Sequence, residues 1–462
     1  MQLERVIAAL APKDVVGRAP VELKDLAYDA GAVVPGTLFF CVRGSRADGH
    51  DFAADAVARG AVALVVERPL VELAMPQLVV EDSRRAMATA AGEFFGHPTN
   101  ELEVAGVTGT NGKTTTAYLL YAILEAAGRK PGLLGTVETR VGDERRAAVR
   151  TTAEAIDLQR TFRQMLEAGN RSCALEATSH GSELHRLDGV RFAALVFTNL
   201  SQDHLDFHGT MERYFDAKRR LFAQDVPAAV NVGDEHGRRL AAELPHALTF
   251  GFADDAKLGP SALDGVDLKL RGRFNRENAL AALAASRLLG IDDAAARAGL
   301  ESVRAVPGRF EEVDEGQPFT VLVDYAHTPD ALANVLRTAR GLGGRVLCVF
   351  GAGGDRDRDK RPQMGRAASE HADLAIVTSD NPRSEDPRAI IDEIVAGAAG
   401  RLEVEPDRRR AIELALDEAR PGDVVVIAGK GHEQGQEFAD RKLPFDDREV
   451  ARELLRRARV QA

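Results

Sequence analysis

The stretch Glu103-Val-Ala-Gly-Val-Thr-Gly-Thr-Asn-Gly-Lys-Thr-Thr-Thr116 constrains this chain more than any other. Val104 to Val107 is an apolar run that reads as a buried strand. Ala117 to Ala127 carries a helix pattern, and Gly128 is a natural stop. A strand, a glycine turn, a Lys-Thr pair and a helix together form a phosphate-binding loop. Backbone amides and the helix N-terminus face an anion, Lys113 reaches the outer phosphates, and the Thr114 hydroxyl is placed for magnesium. The expected nucleotide contacts are Gly109, Thr110, Asn111, Gly112, Lys113, Thr114 and Thr115. The spacing departs from G-x4-G-K-[ST], because Val107 stands where the first glycine is usual and the glycines are Gly106, Gly109 and Gly112.

A chain of 462 residues suggests roughly three domains. The net charge of −11 disfavours nucleic acid or an anionic membrane as a general partner, although a local basic pocket can still take a small polyanion. Cys41, Cys173 and Cys348 are far apart, match no zinc spacing and lie in apolar runs, so they read as reduced core residues. No apolar stretch is long enough for a bilayer and no signal peptide is visible. These features lead us to expect a cytoplasmic monomer without membrane insertion.

Residues 1–100 read as a small α/β domain without a nucleotide loop. Its strands are placed at 37–42, 61–66 and 77–80, with helices around 51–59 and 83–95. Residues 101–305 form the domain of the phosphate loop. There Thr152 resembles a helix cap before 155–166. Glu176 ends the strand 173–175, at the sheet edge where ligands bind in an open parallel sheet and where a carboxylate can hold magnesium. The strand 192–197 leads to Thr198-Asn-Leu-Ser-Gln-Asp-His-Leu-Asp-Phe-His208, which we do not read as a transition-metal cluster. Met211 to Phe222 reads as a helix with Lys218 on its apolar stripe beside Tyr214 and Leu221. Burial there lowers a lysine pKa and supplies neutral amine. In residues 306–462 four strands end in chemically rich loops, at Asp324, Gly351, Ser379 and Gly429. Four such edges in one sheet indicate a shared site. Arg356 and Arg383 with Asp380 and Glu433 suit an amino acid carrying more than one carboxylate.

Taken in order, these motifs resemble the Mur ligase family, which builds peptidoglycan precursors. The matching segments are T-G-T-N-G-K-T-T, P-G-T-L-F-F, T-T-x-E, D-H-L-D-x-H followed by Y-x-x-A-K, G-x-x-N-x-x-N, G-G-D-R-D, D-N-P-R and G-K-G-H-E. The resemblance implies an α/β chain of three domains. A central P-loop parallel-sheet ATPase domain is flanked by a small uridine-nucleotide domain and a C-terminal Rossmann-like α/β domain. It implies ATP-dependent amide formation through an acyl phosphate, joining meso-diaminopimelate to UDP-N-acetylmuramoyl-L-alanyl-D-glutamate. Folylpolyglutamate synthetases share the ATP-ligase architecture but would not need the uridine domain.

Carried over residue by residue, the resemblance gives the catalytic set Lys113, Glu176, His204 and Lys218. Two magnesium ions would be held by Thr114, Glu176, His204 and a CO2-derived carbamate on Lys218. Asn278, Arg309, Asp324 and His327 join the ATP contacts. Tyr28, Ala30, Ser45, Arg46, Ala47, Thr151, Thr152, Thr178 and Arg186 take the uridine-linked dipeptide. Ala30-Gly31 stands where Ser-Arg is usual, and Ala153 replaces a proline. Arg356, Asp380, Asn381, Pro382, Arg383, Gly429 and Glu433 take diaminopimelate, with D-N-P-R marking selection for that amino acid over lysine.

Overall fold

The computed structural model describes residues 1–461 other than 18, 19, 45 and 46. The expected uridine contacts at Ser45 and Arg46 therefore lie outside the described residues. The chain forms two compact units. One comprises Met1–Thr108, Gly128–Leu195 and Arg220–Val226; the other comprises Gly109–Ala127, Val196–Arg219 and Pro227–Ala462.

The first unit contains a five-stranded sheet in the order Asp14–Val16, Gln77–Val79, Ala61–Val66, Thr37–Phe40, Asp25–Ala27. Only its first pair is antiparallel. Alternation along a strand sends Leu38 and Phe40 to one face and Phe39 and Cys41 to the other, and both faces are buried. This explains why the strands read as continuous apolar runs. Asp82 starts the helix Ser83–Phe94 by accepting from the amides of Arg84 and Arg85. The same unit carries the parallel strands Glu103–Thr108, Ser172–Glu176 and Pro131–Leu134, extended by the hairpin Glu138–Val141 and Glu144–Ala147. Gly106 serves packing within this layer. A Cβ there would meet Leu195 at 2.6 Å and Phe192 at 2.7 Å.

In the second unit the helix Lys113–Ala126 packs against Asp293–Ser302, and the strands Ala228–Asn231 and Leu248–Phe250 pair in parallel. A six-stranded sheet runs Glu311–Glu312, Thr320–Asp324, Val424–Ala428, Val346–Phe350, Leu374–Val377, Glu403–Val404. Only the Glu311–Glu312 edge is antiparallel. Pro329–Arg340, Lys360–His371 and Pro387–Ala396 cover one face; Arg408–Glu418 and Asp447–Gln461 cover the other. Apolar strands covered on both faces make this a doubly wound layer, with its loops at the carboxyl ends of the strands.

Three local expectations change. The helix after the phosphate loop starts at Lys113, not Ala117, because Gly112 at φ 86° turns the chain directly into it. The helix beginning at Met211 ends at Arg219 and tightens into a 3-10 turn over Arg220–Gln224. Thr152 caps no helix: Glu154 occupies the cap position of Ala155–Glu167 without a side-chain bond. The Thr152 hydroxyl instead donates to the Glu176 carbonyl at 2.7 Å. The three cysteines are buried and free, as expected.

Gly299 lets two helices of the second unit approach closely, since a Cβ there would lie 2.4 Å from Cα of Ile123. Gly299→Ala should therefore destabilise the fold by about 1–3 kcal/mol through overpacking, read from the midpoint of urea denaturation.

Candidate active site

The phosphate loop is held by the segment that follows the strand Phe192–Phe197. The Thr110 amide donates to the Asn199 carbonyl at 2.9 Å. The Asn111 amide donates to Asn199 Oδ1 at 2.9 Å, and the Thr198 hydroxyl donates to the Asn111 carbonyl at 2.7 Å. The Thr110 hydroxyl lies 3.1 Å from the Tyr214 hydroxyl and donates to the Ser201 carbonyl at 3.1 Å. Gly109 has φ 145°, and a Cβ would fall 1.9 Å from the Thr198 hydroxyl. At Gly112 a Cβ would fall 2.2 Å from Asn278 Oδ1, so the expected adenine-side residue packs directly on the loop. Arg309 donates to the Thr114 hydroxyl at 2.9 Å and lies over the Tyr325 ring. Thr115 is buried in the first helical turn. Sequence reasoning missed Asn199 and Ser201; their signal was a polar run directly after a buried strand.

Lys113 Nζ folds back to donate to the carbonyls of Gly109 (3.0 Å) and Thr110 (2.7 Å). Lys218 is 1 % exposed, lies over the Tyr214 ring and donates to the same Gly109 carbonyl at 2.8 Å. Burial and the neighbouring Lys113 charge hold the Lys218 amine well below the ordinary lysine range, against a smaller pull from Asp203. The sequence expectation of a desolvated amine is met in this geometry.

Asp203, which stands in the D-H-L-D-x-H segment but was not among the expected site residues, is a third addition. Its buried carboxylate lies 3.2 Å from Lys360 Nζ, 3.3 Å from His204 Nε2 and 3.6 Å from His327 Nε2. Burial pushes the carboxyl up, but Lys360 and the two histidines outweigh it and hold Asp203 well below the carboxylate range. His204 has φ 56°, a left-handed conformation uncommon for a side-chain-bearing residue. The His327 Nδ1 lies 2.7 Å from the Tyr325 carbonyl, which accepts from it, so Nδ1 carries a proton. Asp324 Oδ2 accepts from the Phe310 amide at 2.7 Å, and burial raises its carboxyl.

In the first unit both oxygens of Glu176 are engaged by Thr136, at 2.7 Å from its amide and 2.9 Å from its hydroxyl. The Thr136 and Thr151 hydroxyls are 3.1 Å apart. The Thr178 hydroxyl donates to that of Thr152 at 2.9 Å. Arg186 pairs with Glu154 at 2.8 Å and donates to the Thr152 carbonyl at 3.1 Å. Arg84 (3.2 Å) and Arg150 (2.7 Å) meet the same Glu154 carboxylate. Three guanidiniums around one carboxylate leave a positive excess suited to an anion. The buried Arg186 Nε has no hydrogen-bond partner among the described residues. Tyr28 donates to Asp157 at 2.7 Å. Ala30 opens a 3-10 turn capped by Asp29, and Ala47 accepts from the Gly44 amide.

The loops expected to take an amino acid are joined to one another. Asn381 donates to Glu433 at 2.7 Å and accepts from Lys430 Nζ at 2.8 Å, while Lys430 also meets Glu433 at 3.1 Å. Arg383, at φ 52°, donates to the Gly354 carbonyl at 2.7 Å and pairs with Glu437 at 3.2 Å. Its guanidinium is thus paired and braced, where the sequence suggested a free carboxylate clamp. Arg356 donates to the Asp355 carbonyl at 2.9 Å. Pro382 packs over Gly354, and Gly429 approaches the Asp380 carboxylate so closely that a Cβ would lie 2.5 Å from it. Asp380 is buried, but Lys430 and Arg408 overcome the effect of burial and hold it below the carboxylate range. Among the described residues no group of three or more His, Cys, Asp or Glu is arranged to hold a metal ion.

Comparison with known proteins fits this arrangement. Three profiles match in chain order: "Mur ligase family, catalytic domain" on residues 22–95, "Mur ligase middle domain" on 107–286, and "Mur ligase, glutamate ligase domain" on 308–431. The chain belongs to the Mur ligase family. It is 48% identical to the UDP-N-acetylmuramoyl-L-alanyl-D-glutamate--2,6-diaminopimelate ligase of Solibacter usitatus, covering 95% of this chain and 94% of that one. The ligase of the same name from Geobacillus thermodenitrificans is 45% identical, covering 99% of this chain and all of its own. A solved structure of a ligase bearing that name superposes with a TM-score of 0.65 at 33% identity, with 96% of each chain covered. The fold alone is shared with Mycobacterium tuberculosis folylpolyglutamate synthase, at TM-score 0.61, 19% identity, 75% of this chain and 93% of that one.

The Asp203–Lys360 pair gives a stability test. Lys360→Met should leave a buried carboxylate short of its main partner and cost about 3–5 kcal/mol at neutral pH. Asp203 has a depressed native pKa, so the pair's stabilisation is fully present above the ordinary carboxylate range and is lost as pH falls from that range through the depressed native value. The gap between wild type and variant in urea denaturation should therefore narrow at acid pH.

Proposed function

We infer that this chain is an ATP-dependent amide-bond-forming ligase that adds meso-2,6-diaminopimelate to UDP-N-acetylmuramoyl-L-alanyl-D-glutamate in peptidoglycan precursor synthesis. The observation that carries the reading is the joined pair of loops 380–383 and 429–433, with ionised Asp380 near the braced guanidinium of Arg383 and with Glu433 held by Asn381 and Lys430. Acids suit ammonium groups and a guanidinium suits a carboxylate, the charge pattern of an amino acid with a second, distal carboxylate. We assign residues 1–100 to the uridine nucleotide, 101–305 to ATP and ligation, and 306–462 to the amino acid. We propose a monomer acting in the cytoplasm, where ATP and nucleotide-linked substrates are supplied.

In this mechanism the D-Glu carboxylate oxygen of the nucleotide substrate attacks the γ-phosphorus of ATP, and ADP leaves. The resulting acyl phosphate is attacked at carbon by the neutral amine of diaminopimelate. A tetrahedral intermediate forms and collapses with loss of phosphate. Lys113 turns from the Gly109 and Thr110 carbonyls to the phosphates, where positive charge is needed most. Arg309 and Asn278 position the nucleotide against the loop. Arg186, with Arg84 and Arg150 around Glu154, suits the anionic part of the dipeptide substrate.

In the second unit the Thr114 hydroxyl, His204 and a carbamate on Lys218 would hold magnesium, and in the first unit Glu176 offers a carboxylate of the kind that binds it; these donors are mostly hard oxygens. When bound, magnesium neutralises phosphate charge during transfer. The buried, weakly basic Lys218 amine fits carbamate formation, since CO2 adds to the neutral form.

Two measurements test the reading. Lys218→Ala should abolish ligation, with partial recovery in excess short-chain carboxylate; full activity without it would overturn the carbamate. Arg383→Ala should raise the diaminopimelate KM by about two orders of magnitude, as expected for loss of a charge-assisted pair, and leave the ATP KM unchanged. Steady-state kinetics with lysine and diaminopimelate decide the amino acid: wild type that used lysine equally well would refute the selectivity reading.

A further inference from the structure

Beneath the two amino-acid loops lies an ion pair that no sequence motif announces. Arg408 and Asp447 have fully buried side chains and form a two-pronged pair, Nε to Oδ1 at 2.8 Å and Nη2 to Oδ2 at 2.7 Å. Arg408 Nη2 also donates to the carbonyl of Ala428 at 2.9 Å, directly before Gly429. Its Nη1 lies 3.5 Å from the Ser379 carbonyl and 4.0 Å from the Asp380 carboxylate. One guanidinium thus touches both loops from below, at the last residue before each signature. Asp447 opens the helix Asp447–Gln461, beyond residue 431 where the family match ends.

We propose that the Arg408–Asp447 pair is the positioning element of the amino-acid site. It sets the spacing between the 379–383 and 429–433 loops and presents the Asp380 carboxylate to the ammonium group of the incoming amino acid. The physical reasons are three. A buried guanidinium with fixed donors has one geometry, so two carbonyls and a carboxylate referenced to it are referenced to each other. Asp447 takes the Arg408 guanidinium in two close hydrogen bonds, at 2.8 and 2.7 Å, while the Asp380 carboxylate lies 4.0 Å from it, so Arg408 holds Asp380 in place without occupying its oxygens by a direct hydrogen bond. Gly429 allows that carboxylate to approach the second loop, which a side chain would block. The C-terminal helix is then part of the amino-acid site through Asp447, although Asp447 itself does not touch substrate.

The inference rests on the functional reading above, and the test separates the two. Replacing both charges by apolar side chains of similar volume is generally tolerated by a fold, whereas removing one is not. Arg408→Met combined with Asp447→Leu should therefore melt cooperatively. It should show a diaminopimelate KM raised about tenfold or more by misplacement of the loops, while the KM values for ATP and the nucleotide substrate stay unchanged. Asp447→Asn, which keeps the shape and one acceptor, should fall between wild type and the double variant; it is read in the same way if the double variant does not fold. A folded variant with the wild-type diaminopimelate KM would overturn the proposal. So would a parallel rise in all three KM values, which marks a purely structural pair. Wild type that does not turn over diaminopimelate would overturn the functional reading, and this inference with it.

Discussion

Two lysine amines converge on one carbonyl oxygen, that of Gly109. The carbonyl can satisfy both by hydrogen bonding, but two full positive charges so close in a buried place are unfavourable. One amine must be held below its ordinary basicity, and burial selects Lys218. Lys113, half-buried at the loop surface, keeps the freedom to turn toward phosphate. The loop conformation that creates this arrangement depends on Thr198, Asn199 and Ser201, which satisfy its backbone groups.

The last layer uses a different device. Its strand ends carry several charged groups that would repel or collapse if left unpaired. Several are matched in pairs, Glu433 with Lys430, Arg383 with Glu437 and Arg408 with Asp447, and Lys360 of a covering helix meets Asp203 from the segment after Phe192–Phe197. Pairing keeps the carboxylates ionised despite burial, as the lowered Asp203 and Asp380 show. Glu154 plays the converse part in the first unit, holding three guanidiniums together against their mutual repulsion. Backbone strain falls in the same places: His204, Asp355 and Arg383 all have positive φ.

Much of this was legible in the chain. The strands are covered on both faces, so they appear as unbroken apolar runs, and their ends were readable to within a few residues. The phosphate loop announced itself because a tight turn toward an anion needs glycine at fixed places. Lys218 was readable because a lysine on an apolar stripe is locally anomalous. Thr152 was misread because a hydroxyl before a helix has two uses, a cap or a bond to a distant carbonyl. Only the position of Glu176 decides between them.

By itself the sequence determined the α/β class, the phosphate loop, the order of the motifs and the family they belong to. These depend on periodicity and short spacings, which are local properties of a chain. Only the tertiary structure decided that Asp203 is the anchor of two histidines and that Glu154 collects three arginines. It alone showed that Arg383 is already paired, and that Asp447 pairs with Arg408, whose guanidinium meets the carbonyls of Ser379 and Ala428 at the foot of both loops. Ion pairs between distant residues leave no periodic trace. Any exposed arginine or aspartate would look the same in the sequence, and burial, which gives each pair its effect, is created only when the layers pack.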